Sequence, residues 1–129
     1  MKMFIDKDAE IKVEVFVLEK VDGSFSAWSS ETKPEKLQDG IQKYEIFFRM
    51  PTYKDNLIFL DAGVKFDEKG QLSFVTNQSR FTRFVTLLKR WTFKDSDGND
   101  IPATSENAEK LVAPIVSVII SELEKSLNL

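Results

Sequence analysis

An α+β domain is the fold class this sequence predicts: an N-terminal antiparallel β-sheet of three or four strands packed against a C-terminal bundle of three to four helices. Two patterns point there. Up to about residue 50 the apolar residues alternate with polar ones in β-branched runs, the period of strands, and from Thr52 onward they recur every three or four residues, the period of helices. The 129 residues carry no internal repeat or low-complexity tract that would divide them, so residues 1–50 (β-rich) and 51–129 (helical) read as one domain. A chain of this length buries roughly two thirds of its unfolded surface, enough for an independent core.

Ile11, Val13, Val15 and Val17 alternate with Lys12, Glu14, Phe16 and Leu18, which makes the first strand. Asp22-Gly23 supplies a hairpin turn, and Ser24 to Ser29, with Phe25 and Trp28, is the return strand. Residues 29–40 are polar and hold Pro34 and Gly40, the mark of a loop. Ile41 to Arg49 resumes the alternation through Tyr44, Ile46 and Phe48, and Pro51 ends it because proline cannot donate to a ladder.

Thr52-Tyr53-Lys54-Asp55 has the spacing of a capping box, which predicts a helix over 53–66 with Tyr53, Leu57, Leu60 and Val64 as its buried stripe. Ile58, Phe59, Ala62 and Phe66 widen that stripe, so the helix is expected to be covered on two sides. A short extended piece follows Gly70, from Leu72 to Thr76. Asn77 then caps a basic amphipathic helix in which Phe81, Phe84, Val85, Leu88 and Trp91 share one face, with Arg80, Arg83, Lys89 and Arg90 between them. Beyond an Asp-rich loop, Thr104 or Ser105 caps a short helix to about Val112, and Pro114 begins a last helix to about Leu127. Its stripe is Val116, Ile119, Ile120, Leu123 and Leu127, which leaves Ile115 and Val118 beside it as surplus apolar surface.

The composition excludes several chemistries. With no His and no Cys there is no Ser-His-Asp triad, no thiolate nucleophile or zinc site, and no disulfide. The net charge of −3 and pI near 5.1 do not fit a dedicated nucleic-acid binder, although Arg80, Arg83, Lys89, Arg90 and Lys94 interleave with aromatics. Those aromatics share a helical face and read as core, with the charges as its solvated side; Arg80 or Arg83 would equally pair with an acidic partner surface. Five dispersed glycines make no phosphate cradle, and no cofactor is expected. Carboxylate pairs such as Asp6/Asp8 are too common on surfaces to indicate acid–base catalysis. The start, Met1 to Asp6, lacks the apolar core of a signal peptide, and no apolar run approaches the roughly 20 residues of a membrane span.

The sharpest chemical motif is the loop after the basic helix. Asp95, Asp97, Asn99 and Glu106 stand at positions 1, 3, 5 and 12 of an EF-hand, which makes a calcium-binding module one reading. Asp100 replaces the glycine that motif needs, and the competing reading is an Asp-Gly turn between helices. A metal-dependent hydrolase or nuclease built on such acids ranks below both, because nothing in the pattern gathers distant carboxylates.

The run from Phe48 to Leu127 resembles the small tail-assembly-chaperone-like proteins of tailed bacteriophages. The resemblance rests on Arg49-Met50-Pro51-Thr52 before a helix, Leu87-Leu88-Lys89-Arg90-Trp91, Asp97-Gly98 followed by Ile101-Pro102-Ala103-Thr104, then Glu106-Asn107 and the Ala113-Pro114 step. It implies a non-enzymatic viral protein that acts by protein–protein interaction, keeping a tape-measure protein from aggregating and recruiting tail-tube subunits. Its place would be the host cytoplasm during assembly, or the virion if the chain is instead a structural component of the tail or head–tail junction. Such a role needs exposed apolar helix surface. Ile58, Phe59, Ile115 and Val118 are the candidate partner-binding residues, with Arg80 and Arg83 beside them, and surplus apolar faces of this kind also close by symmetry into homo-oligomers. The alternative for those four residues is a second layer of ordinary core.

Overall fold

The structure, a computed structural model, describes residues 3–5, 8–36, 39–74 and 76–129. Four antiparallel strands form the sheet: β1 (Glu10–Glu19), β2 (Phe25–Trp28), β3 (Gln42–Arg49) and β6 (Leu88–Trp91), in the order β2-β1-β3-β6. The β1–β3 register sets Ile11 opposite Phe48, Val13 opposite Ile46 and Val15 opposite Tyr44, so the alternating residues of both strands fall on one face. Val13, Val15, Val17, Ile46 and Phe48 are buried there. The opposite face carries a lattice of charge: Lys12 bridges Glu14 and Glu45, and Arg90 lies 3.7 Å from the ring centre of Phe47. Phe16 is buried on that side, with the Lys33 ammonium 4.6 Å from its ring centre.

The helices cover the first face. α1 (Tyr53–Gly63) packs on α2 (Thr76–Leu87), α3 (Ser105–Ala108) touches α2, and α4 (Ala113–Ser126) lies across β1 and β2. Ile115, Ile119, Ile120 and Leu123 of α4, Phe59 of α1, and Phe84 and Leu87 of α2 complete one core with the sheet. The expected α+β architecture is therefore present.

Several boundaries differ from those the periodicity predicts. The basic helix stops at Leu87, and Leu88 to Trp91 is the edge strand β6, paired with β3 through Ile46–Trp91, Phe47–Arg90 and Phe48–Leu88 with a bulge between Phe47 and Phe48. The bulge reconciles the two periods: it lets Leu88 and Trp91, three residues apart, both pack against the core from a strand. The helix over 53–66 ends at Gly63; Val64–Phe66 (β4) folds back on Leu72–Phe74 (β5) as a separate two-stranded hairpin. Asn77 lies inside α2, not at its cap. Pro114 is the second residue of α4, after Ala113, where its missing amide costs no helical bond.

Candidate protein-binding surface

α1 is held by its first turn. Thr52 and Asp55 form the reciprocal capping box, and Arg49, at the end of β3, donates to both oxygens of the Asp55 carboxylate, with Nη2 to Oδ1 at 2.8 Å. The same carboxylate accepts the Thr52 amide at 2.8 Å. The hydrogen bonds from Arg49, then those from Thr52, hold this carboxyl well below the usual carboxylate range, against the opposing effect of burial. The helix thus leaves the sheet at an angle fixed by a planar, bidentate pair.

Packing on α2 covers one side of α1. Asp55, Phe59 and Gly63, each four residues apart, are buried. Phe59 is 2% exposed; its ring lies 5.3 Å from the Arg83 guanidinium, and its carbonyl accepts the Ser79 hydroxyl at 2.7 Å. The stripe expected to be buried, Tyr53, Leu57, Leu60 and Val64, faces solvent instead, with Tyr53 79% and Leu60 57% exposed. The helical spacing is real through Leu60 but marks the outer face, and Val64 belongs to β4. In the hairpin, Phe66 and Leu72 are exposed as well, at 73% and 65%.

The predicted partner-binding residues divide accordingly. Ile58 is exposed beside the outer stripe, while Phe59 and Ile115 are sealed in the core and Val118 is half-buried. Phe59 and Ile115 are therefore packing residues, Phe59 on the side of α1 that packs on α2 and Ile115 in the helix that packs on β1 and β2. Arg80 and Arg83 are engaged within the chain: Arg80 Nη2 lies 2.7 Å and Arg83 Nη1 3.6 Å from the Glu124 carboxylate on α4. Lys89 and Arg90 pair with Glu10, and Lys94 with Asp100, so every cation of the basic segment has an acidic partner.

The Asp-rich loop is a turn. The Asp95 and Asn99 backbones and the Lys94–Asp100 bridge close it, and Asp95 Oδ1 accepts the amides of Asp97 and Asn99, both at 2.9 Å. Asp67 does the same for Lys69 and Gln71 in the β4–β5 turn, at 2.9 and 2.7 Å. Asp-x-x-Gly followed by an amide residue is one turn used twice, and the second use has no calcium spacing. Glu106 belongs to α3 and pairs with Lys110 at 3.6 Å. Among the described residues, no group of three or more acidic, His or Cys side chains is placed to hold a metal ion, so Asp95, Asp97, Asn99 and Glu106 do not assemble the expected calcium site. Asp6 of the Asp6/Asp8 pair lies outside the described residues.

Sequence reasoning found the second strand of the hairpin, the extended piece from Leu72, but absorbed the first, Val64–Phe66, into the preceding helix. The hairpin's signal was present: Val-Lys-Phe and Leu-Ser-Phe alternate on either side of Asp67-Glu68-Lys69-Gly70. The fold and this surface define an α+β protein with an apolar face on a rigidly anchored helix. No known protein family, curated protein or solved structure matches the chain.

Proposed function

We propose that this chain is a non-enzymatic, tail-assembly-chaperone-like protein of a tailed bacteriophage, which holds an apolar helix of a tape-measure or tail-tube protein against the outer stripe of α1 in the host cytoplasm. One observation carries the reading: Tyr53, Leu57 and Leu60, with Ile58 beside them, form a solvent-facing stripe at helical spacing, the surface an amphipathic partner helix packs on. Leu57, Ile58 and Leu60 are each about half exposed, so covering what remains contributes on the order of 1 kcal/mol apiece. The resemblance supports the same place, since Arg49-Met50-Pro51-Thr52 includes the arginine and the cap that orient α1.

The test is co-expression with the tape-measure and tail-tube proteins encoded in the same genome. Wild type co-purifies with one of them and raises its yield in the soluble fraction, while Leu57→Asp/Leu60→Asp loses the complex and keeps its circular dichroism and melting temperature. Failure to bind either protein, or binding untouched by the double variant, overturns the proposal. Recovery of the chain from mature particles would assign it to the virion instead.

A further inference from the structure

The two charges on the outer side of α1 sit at the helix poles that disfavour them. Lys54 stands in the first turn, where unpaired amides already make a positive end, and Asp61 in the last, where carbonyls make a negative one. Both side chains are exposed. Among the described residues neither has an ion-pair partner, whereas Arg49 and the basic segment from Arg80 to Lys94 are matched to acids of the same chain. Lys54 and Asp61 are seven positions apart, about two turns, so they lie on one line along the helix roughly 10 Å from each other. Leu57 and Ile58 flank that line between them, 44% and 40% exposed, with the buried Asp55, Phe59 and Gly63 on the opposite side.

We infer that α1 pairs antiparallel with α1 of a second copy of this chain, about a two-fold axis that passes between Leu57 and Ile58. That axis sets Lys54 of each chain opposite Asp61 of the other, so both charges gain a partner, and it sets Leu57 opposite Ile58 in the space between. It also brings the positive pole of each helix to the negative pole of its twin, which turns a disfavoured placement of charge into a favourable one. A second copy is selected because this surface is its own complement. A foreign helix needs a base and an acid at the same spacing, and this chain already carries them. One three-turn helix per subunit is a small contact beside the roughly 800 Å² that a standard interface takes from each partner, so the pair is weak and reversible. Leu57 belongs both to this contact and to the stripe, so the two occupants exclude each other. Under the proposed function the dimer is the resting form that the tail-protein helix displaces, but the pairing itself does not depend on that reading.

Sedimentation equilibrium on the purified full chain tests this. The wild-type average mass rises with concentration from 14.8 kDa toward twice that value. Lys54→Glu and Asp61→Lys each set like charges against one another at both ends of the contact and weaken association about tenfold. Their melting temperatures do not fall, because each substitution suits the pole it occupies. Mixed in equal amounts, the two variants recover wild-type association, since the new acid of one faces the new base of the other. The double variant Lys54→Glu/Asp61→Lys recovers it within a single species. Leu57 and Leu60 are intact in all of these, so capture of the tail protein is a separate readout and either reading can fail without the other. A wild type that stays monomeric at hundreds of micromolar, single variants that associate like wild type, or a mixture that associates no better than its components overturns the inference.

Discussion

Arg49 and Asp55 join the last residue of β3 to the first turn of α1 through two hydrogen bonds, and the carboxylate that receives them is nearly out of contact with water, at 8% side-chain exposure. Together with the packing of α1 on α2, where the Ser79 hydroxyl bonds the Phe59 carbonyl, this pair holds Phe59 inward and Leu60 outward.

Removing the carboxylate leaves Arg49 unmatched and Thr52 without its capping partner. Asp55→Ala is expected to cost about 2 kcal/mol, less than the ~3–5 of a fully buried pair because the guanidinium is 38% exposed. The acid dependence has a definite sign. The folded-state pKa of Asp55 is depressed, so its contribution is complete above the ordinary value of 3.8 and is lost as pH falls toward the folded value. Urea unfolding should show wild type more stable than Asp55→Asn at pH 7, with the gap narrowing steadily below about pH 3.8.

The two neighbours on α1 should behave oppositely. Phe59→Ala opens a cavity in the core and is expected to cost about 3–5 kcal/mol. Leu60→Ala removes a side chain that is already mostly wet, and should fall within about 0.5 kcal/mol of wild type. Thermal melts of both variants check the assignment of inner and outer faces.

Calcium should be silent. Melting temperatures in millimolar calcium and in chelator are expected to coincide, because Asp95 spends one oxygen on two backbone amides and Glu106 pairs elsewhere. Asp95→Ala should cost about 1 kcal/mol with or without the ion. A calcium-dependent rise in melting temperature that Asp95→Ala abolishes would restore the loop as a metal site.

Trp91 closes β6 against the loop that follows, its indole Nε1–H donating to the Ile101 carbonyl. Trp91→Phe retains the apolar ring and deletes the donor, for an expected loss of about 1 kcal/mol in unfolding free energy. Amide exchange should quicken first around Ile101, whose own amide bonds the Phe93 carbonyl.

Features that depend on near neighbours in the chain were legible without coordinates. The alternation in Ile11 to Val17 and the Thr52–Asp55 box stand in the structure as read, and of the two caps read for α3, Thr104 or Ser105, it is Thr104, because their hydrogen bonds and periods are set within a few residues. The candidate site was legible only in part. Its stripe was found, but assigned to the interior, since periodicity states that a helix has a greasy side and not where that side points.

By itself, then, the sequence determined an α+β chain without histidine or thiol chemistry, and the local element to which most residues belong. Only the tertiary structure decided that Leu88–Trp91 joins the open edge of β3 instead of prolonging a helix, that Phe59 rather than Leu60 enters the core, and that Arg80 and Arg83 are occupied by Glu124. The physical reason is the same in each case: an edge strand's unpaired amides, a bidentate ion pair and a helix-to-helix salt bridge are contributed by residues from separate elements, and only the folded chain brings those groups within reach of one another.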